Sequence, residues 1–313
     1  MSVHRLLLRP VAPYRLDLTV WALRRRATNQ VDRWGDNGYE RTLVVNGKVI
    51  DVDVAQTGPC TAPELVARIS AQRLSAGERE ATAATLRRML GIGVDLSAFY
   101  AATQADERLH RLVKRFLGVK PPQFATLFEA LCNGVACQQL SLDVGIQLLN
   151  RLAQRFGTLG TGTPYRAFPT PEALSNIDPQ SLRELGFNRR KCAALVAIAR
   201  NAVAQPCMRE ALSRLDDIEA KERLCLLPGV GNWTADYVLL RGLGRTHIFP
   251  GGDVGARNNL QRFLGLQEPL DDAQARRILA PWSAYAGLIY FHLLLERLRT
   301  ASPSSPIAGS GHT

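Results

Sequence analysis

The 313-residue sequence predicts an α+β protein, with an antiparallel sheet near its N-terminus and helices through the rest of the chain. Two observations support this fold class. Between residues 13 and 58, apolar and polar residues alternate with a period of two, which is typical of strands with one buried face. From about residue 106 onward the apolar residues recur at helical spacing instead.

This change of pattern predicts three parts of the chain. Residues 1–112 are expected to form a domain of one antiparallel sheet plus helices. Residues 113–300 are expected to form an all-α core in which two helical subdomains enclose a cleft. Residues 301–313 are rich in Ser, Pro and Gly and have almost no charge, so we expect a disordered tail.

The first domain begins with the alternation of Leu16, Leu18 and Val20, which predicts a strand. Residues 42–45 and 49–54 are predicted to pair as a hairpin, because the Asn-Gly dipeptide between them favours a two-residue turn. Two helices are predicted next, over residues 63–74 and 81–90, where Gly and Pro mark the boundaries.

The second part opens with a core-facing helix, in which Phe124, Leu127, Phe128, Leu131 and Val135 recur at helical spacing. Two short helices should follow, because a capping residue precedes proline at Thr170-Pro171 and at Asp178-Pro179. Longer helices are predicted over residues 142–156, 191–203, 254–263, 272–279 and 283–298.

Composition narrows the partners of the chain. It has 39 Lys and Arg against 28 Asp and Glu, a basic excess that favours a polyanion as partner. Its 6 cysteines contain no C-x-x-C pair, so we expect neither a zinc site nor an iron–sulfur cluster. We expect the cysteines to be reduced thiols in a cytoplasmic protein. Because we find no run that reads as a membrane span, we expect no membrane partner.

The most informative segment is Leu227-Pro228-Gly229-Val230-Gly231, which reads as a tight turn between two helices. Residues 218–226 form the first predicted helix, and the second starts at Trp233. Glycine allows a close approach of backbone to ligand, and the N–H groups that open a helix attract anions such as DNA phosphate. An ordinary turn between helices with a glycine cap explains the same residues.

Together with Asp253, this segment resembles the helix-hairpin-helix, Gly/Pro-rich-loop, aspartate superfamily of DNA base-excision glycosylases. Within that superfamily the chain is similar to the bacterial 3-methyladenine DNA glycosylase II (AlkA-like) branch, and the resemblance spans nearly the whole chain. The further matching segments are Gln138-Gln139-Leu140-Ser141, Phe168-Pro169-Thr170-Pro171-Glu172, Leu185-Gly186-Phe187-Asn188-Arg189-Arg190-Lys191 and Pro281-Trp282 with Tyr285-Ala286.

The resemblance implies that Asp253 is the catalytic carboxylate. Breaking an N-glycosidic bond builds positive charge on the sugar, which a fixed carboxylate stabilises, and the same group can orient the attacking water. Asp253 also precedes a predicted helix, so a simple N-cap role is the alternative.

Trp233 stands where bifunctional members of the superfamily carry a nucleophilic lysine. Because an indole cannot form a Schiff base with the sugar, the sequence predicts a monofunctional enzyme that uses water. The resemblance also implies an aromatic pocket for the extruded base, made by Trp233 and Tyr237 with Phe291, Tyr290 and Trp21. Core packing is the alternative for the last three.

Three further roles follow from the resemblance. Gln139, or else Gln138, would fill the gap left in the base stack. The N–H groups of Gly229, Val230 and Gly231 would bind phosphate, with the Thr234 hydroxyl as a further donor. The residues expected to form a basic DNA face are Arg189, Arg190, Lys191, Arg241, Arg245 and Arg257.

No cofactor is expected to be required. The family's hairpin often holds a structural Na⁺ or K⁺ on backbone carbonyls. The carbonyls concerned would be those of Cys225, Leu227 and Val230.

The function implied is that of a monofunctional DNA glycosylase. It would extrude alkylated, cationic purines from double-stranded DNA and hydrolyse the N-glycosidic bond, leaving an abasic site. We expect a monomeric bacterial protein, cytoplasmic and associated with the nucleoid. Two alternatives stay open: a non-catalytic helix-hairpin-helix DNA-binding protein, and a bifunctional oxidised-purine glycosylase/lyase.

Overall fold

The computed structural model describes residues 2–301 and confirms the α+β fold class. Its five described strands form one antiparallel sheet in the order β1–β5–β4–β3–β2. The predicted hairpin joins β3 to β4, and Asn46 and Gly47 both have positive φ, as its turn requires. The strands are β1 Ser2–Leu8, β2 Arg33–Gly35, β3 Gly38–Val45, β4 Lys48–Gln56 and β5 Leu65–Ala71.

Helices make up most of the remaining described chain. Four occur within the first 115 residues: α1 Leu16–Arg24, α2 Ala76–Met89, α3 Ser97–Thr103 and α4 Glu107–Arg115. The others are α5 Leu127–Cys137, α6 Leu142–Phe156, α7 Pro171–Ser175, α8 Pro179–Arg183, α9 Arg189–Ala204, α10 Met208–Ser213, α11 Asp217–Cys225, α12 Asn232–Arg241, α13 Val254–Leu264, α14 Asp272–Leu279 and, after a 3₁₀ segment Ala280–Tyr285, α15 Ala286–Ala301.

Two predicted elements near the N-terminus are wrong. The predicted strand around Leu16, Leu18 and Val20 is the helix α1. Because this helix is buried on nearly every side, its burial pattern shows neither the period of a strand nor that of a half-exposed helix clearly. The predicted helix over residues 63–74 is instead β5, whose buried and exposed residues alternate. Its pairing with β4 on one side and β1 on the other is a long-range constraint that a local pattern does not contain.

The predicted division into domains is not sharp in the packing. The boundary at residue 112 falls inside α4, and α4 is joined to α15 by an ion pair of 2.7 Å between Arg115 and Glu296. Residues 302–313 of the predicted disordered tail lie outside the described residues. The division at residue 112 therefore stays a prediction.

A buried ionic cluster joins the sheet to the helical part. Arg41 on β3 lies 2.6 Å from Asp32 and 2.6 Å from Glu129 on α5, and each of the three side chains is at most 3% exposed. Tyr39 donates a further hydrogen bond to Asp32 at 2.7 Å. Because each buried charge has a partner, the desolvation cost is offset only while the cluster is complete.

The helical hairpin predicted from the sequence is formed by α11 and α12. Gly229 in its turn has a φ of +79°, and a Cβ there would lie 2.5 Å from the Cβ of Ala194 on α9. The turn is closed by the N–H of Val230, which donates to the carbonyl of Leu227 at 3.1 Å. Gly231 is the N-cap of α12 and provides no side-chain cap, so the N–H groups of its first turn lack that partner.

The C-terminal helices include a stretch that is apolar enough to be considered as a membrane span. Residues Asp272–Thr300 meet that criterion by length and composition, contrary to the sequence prediction that no run would. However, 61% of the apolar window is buried inside the protein, and the backbone departs from helical geometry at Trp282. These are the properties of a core segment made of successive helices.

We predict that Arg41→Ala lowers the free energy of unfolding by about 3–5 kcal/mol, because it leaves two buried carboxylates without their partner. Urea denaturation of the parent and the variant measures this. The matched control is Arg68→Ala, which removes a partly exposed pair with Asp53 at 3.0 Å and should cost less than about 1 kcal/mol. Equal effects of the two changes would contradict the assignment of Arg41 as the main tie.

We also predict that Gly229→Ala destabilises the hairpin by at least about 1–3 kcal/mol, since alanine at positive φ is strained and its methyl would strike Ala194. The control is Gly231→Ala, where φ is −102° and an added Cβ meets nothing within 4 Å. That variant should lose at most about 1 kcal/mol, the cost expected for alanine at an N-cap. The prediction fails if thermal and urea unfolding rank the two variants the other way.

Candidate functional site

A cleft of about 940 Å³ lies where the end of α1, the α5–α6 loop, the hairpin, α13 and α15 meet. This volume is within the range of pockets that bind small ligands. Its lining includes predicted site residues from separate parts of the chain. They are Gln138, Gln139, Gly229, Gly231, Trp233, Thr234, Tyr237, Asp253 and Tyr290.

Asp253 is both the N-cap of α13 and part of the cleft wall. Its Oδ1 accepts hydrogen bonds from the N–H groups of Gly255 at 2.7 Å and Ala256 at 3.2 Å. No described residue donates to Oδ2, which leaves that oxygen for a ligand in the cleft. As the N-cap, this carboxylate lies at the positive end of the α13 dipole. The capping role and the catalytic role are therefore compatible.

Close backbone packing sets Asp253 beside the aromatic wall. A Cβ on Gly252 would lie 2.9 Å from the Cβ of Trp233, so only glycine fits there without a shift. The preceding turn is held by Arg257, which donates to the carbonyl of Gly251 at 2.6 Å. The carboxylate thus has a fixed position relative to the start of α12.

Trp233 and Tyr237 form that wall from one face of α12. Their ring centroids are 5.8 Å apart and their planes are inclined by 32°. Trp233 is half-buried, whereas Tyr237 is 3% exposed. Burial raises the pKa of Tyr237, so its phenol stays protonated at neutral pH. Tyr290 on α15 also lines the cleft, as expected.

Phe291 and Trp21 do not line the cleft, contrary to expectation. Phe291 is 1% exposed, and its ring packs edge-on to Tyr290 with centroids 5.3 Å apart. Neighbouring residues on a helix point about 100° apart, and of these two it is Tyr290 that faces the cleft. Trp21 is buried in the hydrophobic core on α1. The core-packing alternative holds for both side chains.

The loop between α5 and α6 distinguishes the two glutamines. Gln138 is tied down, because its Nε2 donates to the Gly229 carbonyl and to Thr234 Oγ1, both at 2.8 Å. Gln139 is exposed and has a φ of +54°, an uncommon conformation for a residue other than glycine. Of the two candidates, Gln139 is therefore the one that is free to enter a DNA duplex.

Lys191 supports the same loop from α9. Its Nζ donates to the carbonyl of Ala136 at 2.9 Å and to the carbonyl of Gln138 at 2.7 Å. Both carbonyls lie at the C-terminal end of α5, and a cation at that position stabilises the helix end. Burial lowers the pKa of the Lys191 amine. Lys191 thus acts inside the protein rather than on the basic face predicted for it.

The predicted phosphate donors are not all available. The Val230 N–H is used within the turn, and the Leu227 carbonyl that accepts it belongs to the predicted cation site. Thr234 is 1% exposed, so its hydroxyl, which accepts a hydrogen bond from Gln138, is too buried to serve as a surface donor. Gly229 and Gly231 are exposed along the cleft.

Most of the predicted basic face is also internal. Arg241 is fully buried, with Nη2 donating to the carbonyl of Ala22 at 2.9 Å. Arg245 pairs with Asp217 at 2.6 Å. Of the six cations proposed from the sequence, Arg189 and Arg190 are the exposed ones, at the start of α9.

Sequence analysis missed Arg25, which lines the cleft and is only 4% exposed. Its Nη1 donates to Tyr237 Oη at 2.9 Å and its Nη2 donates to Asn133 Oδ1 at 2.6 Å. Its φ of +62° ends α1. The run of three arginines at positions 24–26 was the available signal, but the strand predicted from Leu16 hid the helix end.

Comparison with known proteins agrees with this arrangement. The model of the AlkA N-terminal domain matches residues 5–125, and that of the HhH-GPD superfamily base excision DNA repair protein matches residues 132–284. The chain is 29% identical to DNA-3-methyladenine glycosylase 2 of Escherichia coli over 284 residues, covering 90% of this chain and 93% of the relative.

Two further similarities extend this result. The chain is 29% identical to the DNA-3-methyladenine glycosylase of Bacillus subtilis over 201 residues, covering 64% of this chain and 66% of that protein. The structure resembles the 3-methyladenine DNA glycosylase of Archaeoglobus fulgidus with a TM-score of 0.82 and 25% identity, covering 95% of this chain and 99% of the other. With its AlkA-type N-terminal domain and its hairpin followed by Asp253, this chain belongs to the HhH-GPD superfamily of base excision DNA repair proteins.

Proposed function

We propose that this protein is a monofunctional DNA glycosylase that hydrolyses the N-glycosidic bond of alkylated purines extruded from double-stranded DNA. One observation carries the proposal: Asp253 and the Trp233–Tyr237 wall line the same cleft, at the opening of a helical hairpin. The names of the Escherichia coli, Bacillus subtilis and Archaeoglobus fulgidus relatives support the alkylated base as substrate.

The chemistry divides between the wall and the carboxylate. Alkylation at a ring nitrogen makes a purine cationic, and the faces of Trp233 and Tyr237 attract a cation. The same charge weakens the glycosidic bond, so the base leaves as a neutral molecule. Asp253 stabilises the positive charge that develops on the sugar and orients the water that adds to C1′. The products are the free base and an abasic site.

DNA would be held by groups around the rim of the cleft. The exposed N–H groups of Gly229 and Gly231, with the first turn of α12, suit a phosphate. Gln139 would occupy the space that the extruded nucleotide leaves. Arg189 and Arg190 add positive charge beside the cleft.

The amines of the two lysines nearest the motif are both engaged in other contacts, which supports water as the nucleophile. Lys191 has its amine on two backbone carbonyls, and Lys221 has its amine 2.8 Å from Asp236. Trp233 occupies the position at which a lyase would carry its lysine. Because water is the only co-reactant, we infer that no cofactor is required. A monovalent cation on the hairpin carbonyls stays a prediction.

We predict that Asp253→Asn reduces base release from methylated DNA by at least about 100-fold, because the developing sugar charge loses its carboxylate. Binding of the same DNA should be retained. The control is Asp271→Asn, which changes the N-cap of α14 in the same way, away from the cleft. Single-turnover release, resolved by base identity, is the measurement. An Asp253→Asn variant as fast as the parent would show that Asp253 is not the catalytic acid; a parent that binds DNA but releases no base would favour the binding-module alternative.

We also predict that borohydride added during turnover traps no covalent adduct between the protein and DNA, because Trp233 cannot form a Schiff base. A glycosylase/lyase tested in parallel shows that the trapping works. The abasic strand should remain intact until it is treated with alkali. A trapped band from this protein would instead support the bifunctional alternative.

A further inference from the structure

We propose that Arg25 is a specificity-determining residue that favours release of neutral bases over cationic ones, by stabilising negative charge on the departing base. This inference rests on the proposed function and extends it to a second class of substrate. The favoured bases are uncharged purines with a carbonyl oxygen or another hydrogen-bond acceptor.

The position of Arg25 supports the proposal. It belongs to the lining of the cleft, although it comes from the N-terminal part of the chain. The two donated bonds to Tyr237 and Asn133 hold its guanidinium against the aromatic wall. Its Nε is buried and has no hydrogen-bond partner among the described residues. A guanidinium has five N–H donors, so donors remain for a ligand.

The charge of Arg25 is not balanced by an ion pair within the described part of the chain. No described carboxylate forms an ion pair with Arg25, nor with Arg241, whose guanidinium lies behind the same wall, 5.7 Å from the Tyr237 ring centroid. Arg41, by contrast, is equally buried but has two carboxylates at 2.6 Å. An unpaired buried charge is costly, and it is retained most readily where a ligand supplies the missing partner.

The positive charge of Arg25 predicts which class of base is released faster. When the C1′–N9 bond of a cationic purine breaks, the electron pair neutralises the base, so a nearby cation gives no help and repels the bound substrate. When the same bond of a neutral purine breaks, the electron pair leaves the base with a negative charge. A guanidinium stabilises that anion until a proton from the attacking water reaches it, giving the free base and the abasic sugar.

Tyr237 connects Arg25 to the base. Because the phenol oxygen accepts a hydrogen bond from Arg25, its own hydrogen is directed to another acceptor. A protonated phenol polarised by a guanidinium is a stronger donor to a carbonyl or ring nitrogen. Arg25 can therefore act on the base directly or through Tyr237, and both routes depend on its positive charge.

The test compares two bases in two variants. Single-turnover release is measured for hypoxanthine, a neutral purine with a carbonyl, and for cationic 7-methylguanine, each at one position in duplex DNA. For Arg25→Met we expect release of hypoxanthine to fall by at least about tenfold. Release of 7-methylguanine should rise, because a like charge has been removed. Arg25→Lys keeps the charge and should keep the ratio of the two rates within about threefold of the parent.

Arg24→Met is the matched control. Arg24 is also buried at the end of α1, but it donates to the carbonyls of Arg26 and Ala27 and does not line the cleft. This variant should leave the ratio of the two rates at the parent value, whatever it does to stability. Thermal unfolding of all variants verifies that each is folded under the assay conditions.

The outcomes separate this proposal from the proposed function. If the parent releases 7-methylguanine but not hypoxanthine, the role of Arg25 is overturned and the glycosylase function stands. If Arg25→Met slows both bases by the same factor, or changes neither, Arg25 is structural and the proposal is again overturned. If the parent releases neither base nor any other from methylated DNA, the proposed function itself fails.

Discussion

The contact between the end of α5 and the hairpin is the interaction on which the rest of the site depends. Gln138 joins its side chain to the Gly229 carbonyl and the Thr234 hydroxyl, while Lys191 holds the Gln138 carbonyl from α9. Three elements distant in sequence are thereby held by one amide and one ammonium group. The bonds to Thr234 and from Lys191 are partly buried, so breaking either one leaves a polar group with reduced access to water as a substitute partner.

The helix α12 connects that contact to the residues of the cleft. Its first turn packs against Gly252 so closely that no side chain fits between them, and this places Asp253 beside Trp233. Its next turn presents Tyr237 to the same space. The Asp253 carboxylate, which we propose to be catalytic, and the aromatic wall are thus positioned by one helix, and a shift of the hairpin would move both together.

Charges of opposite sign border the cleft. Asp253 provides negative charge at the start of α13, whereas Arg25 and Arg241 place positive charge behind the aromatic wall and form no ion pair with a described carboxylate. A field of this sense stabilises a transition state in which the sugar becomes positive and the base becomes negative. The aromatic faces, by contrast, attract cationic bases. Under the proposed function, the two features together suit bases of both charge types.

The sequence by itself determined the class of the protein and its central motif. Local rules were enough for the hairpin turn, for the β3–β4 hairpin at Asn46 and Gly47, and for helices such as Leu142–Phe156 and Asp272–Leu279, because glycine conformation, capping and helical periodicity are local properties. Tertiary structure decided the rest. It placed β5 in the sheet and α1 in the core, turned Phe291 away while Tyr290 faces the cleft, and brought Arg25 to Tyr237 across 212 residues of chain. Those outcomes depend on which surfaces pack together, and no short stretch of sequence contains that information.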